Sequence, residues 1–394
     1  MLNESQVWTG TINTEAGTAI EGVDRVGLYD STLRDGEQTV GVNLGPEAKL
    51  QIAKALAALG VDRIEAGFPR VSDDDVKSYE LIMEADLDAE IWGFSRAVPA
   101  DVEQLLELGV RGAVIESPVS DGKLEAYGMS REKVLDRIVT AVKWATENDV
   151  TVCYFAVDST RADLGFLAEV YQAAVEAGAK ELAVVDTLGI ASSEAAAFLV
   201  RKTREWVGPD IPIHWHGHND FGLAVAGSIA AVRAGATWVQ GTVNGMGERA
   251  GNANLPEFAL ALEALYGVAT NMRFDKIQEV AELVRRVSGY DLEPYKPLTG
   301  HNLFVRESGA VAAQFHDPQA VEPYSSEVVG APRGIVLGKK SGLASIEIKG
   351  RELGLDIPED RRADVLAAVK DLSVSKGGLV SDEEFTNLTA SIVG

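Results

Sequence analysis

Short apolar runs, many of them β-branched, alternate along this chain with longer stretches in which apolar residues return every three or four positions. The short runs are RVGLYDS (25–31), RIEAGF (63–68), EIWGFS (90–95), GAVIES (112–117), VTVCYFAV (150–157), ELAVVDT (181–187), IPIHWHGH (211–218) and TWVQGTV (237–243). Their length and composition predict strands. Between them, PEAKLQIAKALAALG (46–60), SREKVLDRIVTAVKWATEN (130–148) and FGLAVAGSIAAVRAGA (221–236) have helical periodicity, and Gly60 stands where a C-cap glycine belongs. Eight such alternations predict a (β/α)8 TIM barrel over residues 25–285. The rival doubly wound sheet calls for a glycine-rich turn after its first strand, and DSTLRDGEQ is not that turn. After about residue 285 the rhythm fades, so 286–394 read as small C-terminal α/β subdomains, with no third domain of a hundred or so residues. Residues 1–24 read as a polar leader.

Composition narrows the function. A net charge of −24, from 36 basic and 60 acidic residues, argues against nucleic acid or an anionic membrane as partner, since either needs a basic face. No run approaches the roughly 18 apolar residues of a membrane span. The N-terminus lacks the basic and apolar regions of a secretory signal. A cytoplasmic enzyme fits these features. The single cysteine, Cys153, excludes an intrachain disulfide framework and a cysteine-based zinc site.

In a barrel, catalytic groups belong at the C-terminal ends of the strands. Three of the five histidines stand at alternate positions in HWHGHND (214–220), on one face of the seventh strand. His216 and His218 can present two imidazoles to one ion. Asp35, after the first strand, is the natural third ligand, because the first strand adjoins the eighth and the seventh is near. Two nitrogens and a carboxylate suit Zn, Mn, Fe, Co or Mg and leave positions open for water and substrate. Arg34 is then a fixed cation for a substrate carboxylate or an oxyanion, or else a structural partner of Glu37 or Glu65. Asp220 is placed to orient a ring nitrogen or to cap a helix. In the loop NGMGERAGNAN (244–254), the amides of Asn244, Gly245 and Gly247 are candidates to cradle an anion, and Asn252 is a candidate oxygen ligand.

Taken together, DSTLRDGEQTVGVNL (30–44), HGHNDFGLAVA (216–226), NGMGERAGNANL (244–255) and VLGKKSG (336–342) resemble the isopropylmalate, homocitrate and citramalate synthase family. The resemblance spans about residues 25–390. It implies a divalent metal and the condensation of an acyl-CoA, acetyl-CoA above all, with a 2-oxo acid. It also implies a homodimer in which C-terminal subdomains are exchanged. By position, Asp35, His216 and His218 would bind the metal, with Asn252 a possible fourth ligand. Arg34 would bind the 2-oxo acid, Thr187 its carboxylate, and Gln38 and Arg96 would support the site.

The departures lie at proton-handling positions. The family's Phe-Ser-x-Glu-Asp run is YFAVD (154–158), with Val157 in place of the glutamate. Val311 replaces a histidine in the C-terminal region, and Val321 a tyrosine, with Tyr324 nearby. Valine cannot move a proton. His214, Glu116, His316 and His301 are the candidate replacements. Two alternatives to the condensation remain. One is a metal-dependent aldolase or lyase acting on a 2-hydroxy acid without CoA, although the cysteine-rich glycine loop of CoA-ester lyases is absent. The other is a barrel that only binds.

Overall fold

The eight predicted strands all form, six of them trimmed at their ends and the third and fourth one residue longer than expected. In the computed structural model, which describes residues 2–394, they are β1 (Gly27–Asp30), β2 (Arg63–Glu65), β3 (Glu90–Arg96), β4 (Gly112–Pro118), β5 (Thr151–Val157), β6 (Glu181–Asp186), β7 (Ile213–Gly217) and β8 (Trp238–Gly241). They close in sequence order into one parallel barrel, with β1 paired to both β2 and β8. The helices between them follow the apolar periodicity. Pro46–Leu59 buries Ile52, Ala53, Leu56 and Leu59, and it stops at left-handed Gly60, whose N–H caps the Leu56 and Ala57 carbonyls. Ser130 caps Arg131–Glu147 by accepting from the Lys133 N–H.

Alternation along each strand fills the barrel axis. Tyr29, Trp92, Val114, Cys153, Phe155, Ala183 and Val185 pack there, with Phe94, Val157 and Trp238 at the edges of the cluster. Cys153 is a free thiol in this layer, where burial pushes its pKa well up. Toward the N-terminal end, Arg63 lies between two indoles, its guanidinium 4.2 Å from the Trp92 ring and 3.8 Å from the Trp238 ring. Its Nη1 and Nη2 donate to the two oxygens of Glu181 at 2.6 and 3.1 Å.

Residues 11–291 make up this unit. The boundary falls beyond the predicted residue 285 because the helix Ile277–Ser288 turns Ile277, Val280, Ala281 and Val284 inward. Arg285 then pairs with Asp291 at 2.8 Å. The second unit is residues 292–394 together with 2–10. Its core is built from Ala312, Ile335, Leu337, Ile346, Val365, Val369 and Phe385. The predicted leader is therefore divided. Its first residues join the second unit, where Val7 bridges Tyr324 and the Trp8 N–H reaches the Pro323 carbonyl at 2.7 Å. Among the described residues no helix is long and apolar enough to cross a membrane.

Removing one partner of a buried ion pair leaves an uncompensated charge. Arg63→Met should therefore destabilise the barrel by about 3–5 kcal/mol, read as a lower urea midpoint by tryptophan fluorescence. An unchanged midpoint would show that Glu181 does not depend on Arg63.

Candidate active site and metal centre

The chain leaves β1 through a tight turn that brings two charged side chains over the barrel mouth. Asp30 accepts from the Thr32 N–H at 2.8 Å, and the Ser31 carbonyl accepts from the Arg34 and Gly36 amides at 3.2 and 3.0 Å. Arg34 is thereby buried. Its Nε donates to Glu65 at 2.7 Å, its Nη1 lies 3.1 Å from Asp35 Oδ2, and its guanidinium sits 4.4 Å from the centre of the Phe94 ring. Glu65, fully buried at the end of β2, also accepts from the Ser31 hydroxyl. Of the two partners open to Arg34 from sequence, the structure selects Glu65, while Glu37 binds Lys49 at 2.6 Å. Burial opposes the charge on Arg34, but Glu65 and Asp35 outweigh it and hold its pKa above the ordinary value. Arg34 Nη2 is left buried without a partner.

Asp35 Oδ2 faces the histidines of β7. It lies 3.2 Å from His216 Nε2 and 3.7 Å from His218 Nε2, and the two Nε2 atoms are 3.4 Å apart. Ligand atoms about 2.0–2.2 Å from one ion stand at about these separations from each other. Burial would raise the Asp35 pKa, yet Arg34 and the two rings hold it far below the usual carboxylate range. Burial lowers the His218 pKa to about 4 despite Asp35, so the ring is neutral at pH 7 and suited to ligation. His218 Nδ1 donates to the Gly251 carbonyl at 3.1 Å, which turns the Nε2 lone pair to the cluster. Asp35 Oδ1 and Asn252 Oδ1 are buried and unpaired. Natural structures rarely leave such atoms without a partner. Two imidazole nitrogens and a carboxylate thus form a donor set that fits a divalent cation, and Asn252 is bridged to His218 through the backbone.

The loop after β8 differs from its sequence reading. The Gly245 N–H donates to Thr242 O, the Met246 N–H to Val243 O, and the Gly247 N–H to Thr39 Oγ1 at 2.8 Å. The Asn244 side chain donates to Ala281 O at 3.0 Å. The Gly245 and Gly247 amides are therefore not free to cradle an anion, and the Asn244 side chain is tied to the helix Ile277–Ser288. What the fold delivers is Asn252, anchored through Nδ2 to Met246 O at 2.9 Å, and the Gly251 carbonyl. Close approach explains the glycines: a Cβ at Gly247 would stand 2.2 Å from Asn252 Nδ2, and one at Gly251 1.9 Å from Gly245 O.

The remaining candidates separate. Glu116 is half-buried on β4, two residues beyond core-facing Val114, and its carboxylate makes no hydrogen bond or ion pair among the described residues. Burial raises its pKa, with Arg34 and Arg96 opposing. Gln38 is exposed and lines a cavity of about 470 Å³ with Arg34, Phe68 and Phe94. Arg96 is gripped at both ends by Asp101, at 2.7 and 3.0 Å, so its guanidinium is spent on the start of the following helix. Thr187 Oγ1 accepts from the Asp158 N–H at 2.8 Å and keeps its own proton to donate. Asp220 neither orients a ring nor caps a helix; it binds Arg249 at 2.9 Å. His214 does not face the mouth. It is fully buried one layer deeper, hydrogen-bonded to Glu181 and Gln240 and stacked on Trp238. Two residues along a strand move a side chain about 7 Å down the barrel, which face parity alone does not reveal. His316 and His301 are exposed in the second unit, His316 donating from Nδ1 to Ala313 O. Gln240 was missed, though a polar residue inside the apolar run TWVQGTV was the available signal.

The HMGL-like family model matches residues 25–284, and the homocitrate synthase post-HMGL domain-like model matches residues 298–377. The HMG-CoA lyase of Bacillus subtilis superposes with a TM-score of 0.63 at 20% identity, over 68% of this chain and 95% of that one. Fold and family model define an HMGL-like barrel enzyme. A putative (R)-citramalate synthase of Methanopyrus kandleri is 40% identical over 96% of this chain and 75% of its own length. A homocitrate synthase of the same organism is 42% identical over 89% and 88%. The chain belongs to the isopropylmalate, homocitrate and citramalate synthase family and is an enzyme of the acyltransferase type.

Should the donor set hold an ion, His218→Ala should weaken divalent-metal binding by about 100-fold or more in equilibrium dialysis, with the circular dichroism spectrum unchanged. Equal affinity in the variant would remove His218 from the ligand set.

Proposed function

We propose that this enzyme condenses acetyl-CoA with a 2-oxo acid and that water then cleaves the resulting thioester, releasing CoA and an alkylmalate-type 2-hydroxy acid, at a site that holds one divalent ion. The observation that carries the reading is the buried cluster in which Asp35 Oδ2 lies 3.2 and 3.7 Å from the Nε2 atoms of His216 and His218, themselves 3.4 Å apart. Asp35 Oδ1, Asn252 Oδ1 and Arg34 Nη2 are buried and, among the described residues, without partners. Relatives named as citramalate and homocitrate synthases support the reaction class. Asp35, His216, His218 and Asn252 hold the ion, which when bound acts as a Lewis acid toward the keto oxygen.

Arg34 Nη2 donates to the same developing oxyanion. Its guanidinium is already fixed by Glu65 and Asp35, so little reorganisation is needed as charge builds. Thr187 donates its hydroxyl proton to the 2-oxo acid's carboxylate. Glu116 takes the methyl proton of the acetyl group, replacing the carboxylate lost at Val157. β4 pairs with β5 so that Glu116 lies opposite Phe155, and Pro118 opposite Val157. The acidic function has thus moved to the neighbouring strand, still on the core-facing parity. Burial brings the Glu116 pKa up, toward the range where a carboxylate is an effective base near neutral pH. The same reading includes a homodimer and a cytoplasmic setting.

A thiol-release assay with acetyl-CoA, divalent metal and a panel of 2-oxo acids should show turnover with at least one acceptor. No thiol release with any acceptor, together with metal-dependent cleavage of a 2-hydroxy acid, would replace this function by a lyase. Glu116→Gln should lower kcat by about 10²–10⁴-fold. A base works deprotonated, so wild-type kcat/KM should rise with pH through a pKa above the ordinary glutamate value. That limb should vanish in the variant, and a wild-type pH profile retained in Glu116→Gln would assign the base elsewhere.

A further inference from the structure

Beneath the metal cluster runs a hydrogen-bonded chain that none of these roles uses. Arg63 grips both oxygens of Glu181 at 2.6 and 3.1 Å. Glu181 Oε2 lies 2.8 Å from His214 Nε2. His214 Nδ1 lies 3.2 Å from Gln240 Nε2, and Gln240 Oε1 lies 3.1 Å from His216 Nδ1. His214, Gln240 and His216 are each at most 1% exposed, so water cannot substitute for a missing partner.

Each link allows one polarity. Glu181, held ionised by Arg63, only accepts. His214 Nε2 must therefore carry the ring proton, which leaves Nδ1 an acceptor. That acceptor can be served only by an N–H, so Gln240 turns its amide nitrogen toward it. The amide oxygen then faces His216 and accepts from Nδ1–H. His216 Nε2 is left with its lone pair, 3.2 Å from Asp35 Oδ2 and 3.4 Å from His218 Nε2. A metal ligand requires that lone pair.

Reversing Gln240 undoes the whole chain. His214 Nε2 and Glu181 would become two acceptors 2.8 Å apart, and the His216 proton would sit on Nε2, where the ion belongs. The strand carbonyls of a closed barrel point along the sheet toward the neighbouring strands, not inward to the axis where these rings lie. His218, at the rim, uses the loop carbonyl of Gly251 instead.

We propose that Gln240 and His214 are positioning residues that transmit the fixed polarity of the Arg63–Glu181 pair to His216 and lock it in the metal-binding tautomer. The inference rests on the metal reading above. It gives His214 a task without contact to substrate.

Two measurements on the full-length protein test it: ¹⁵N NMR of the imidazoles in the metal-free state, and Zn²⁺ affinity by chelator competition. The wild type should show Nδ1–H on His216 and Nε2–H on His214. Gln240→Leu should give mixed His216 tautomers and a Zn²⁺ affinity lower by about 10–100-fold. Gln240→Glu still presents an acceptor to His216, and its second oxygen is matched once His214 takes a proton on Nδ1, between two carboxylates; it should recover most of that affinity. A variant that merely loosened the core would not be rescued in this way. Nε2–H on His216 in the wild type would overturn the proposal, and so would wild-type affinity in Gln240→Leu. The wild-type spectrum decides alone if the leucine variant does not fold. Correct tautomers in a wild type that binds no Zn²⁺ would support the lock and overturn the metal reading.

Discussion

A guanidinium cut off from water must be held by carboxylates, and Arg34 imposes that condition on the whole barrel mouth. Glu65 and Asp35 answer it at 2.7 and 3.1 Å. One cation between two anions leaves a net charge of about −1, and a divalent ion beside Asp35 would turn this to about +1. The site would then attract an anionic 2-oxo acid, although the chain as a whole carries −24. The local field is therefore set by three side chains and an ion, with the surface opposing it. Buried pairs of this kind contribute little net stability; their use here is to fix direction. Arg34 Nη1 and Asp35 Oδ2 are held to each other, while Arg34 Nη2 and Asp35 Oδ1 are buried without partners among the described residues.

Much of this was legible in the amino-acid pattern, for physical reasons. Eight apolar runs separated by helical periodicity admit few folds, and a closed barrel makes the first, seventh and eighth strands neighbours. That geometry joined Asp35 to a histidine pair some 180 residues away. Depth along a strand was not legible. Face parity groups His214 with His216 and His218, but position along the barrel axis separates a core residue from two at the rim. Loop donors were hidden as well. Whether Gly245 and Gly247 offer free amides depends on backbone angles, and here the loop closes its bonds on Thr242 and Thr39. Arg96 reads as a site cation until Asp101, five residues on, is seen to hold it at both ends.

The valines at 157, 311 and 321 would by themselves suggest lost catalysis. Under the proposed function, Glu116 on the neighbouring strand takes the proton that Val157 cannot. Glu116 on β4 and Val157 on β5 lie on the same core-facing parity, one strand and one pair step apart. Burial raises the pKa of Glu116, while Asp35, burdened by the same burial, is held far down by Arg34 and the imidazoles. Two carboxyl groups at one barrel mouth thus have opposite proton affinities, the usual mark of divided acid–base and binding roles.

The central claim is that one ion organises these residues. Crystals soaked with Mn²⁺ and a 2-oxo acid, with anomalous scattering recorded, address it directly. The account predicts a single strong anomalous peak in contact with Asp35, His216 Nε2 and His218 Nε2, with the keto oxygen directed to it and to Arg34. A strong peak elsewhere and none between Asp35 and the two histidines would contradict it.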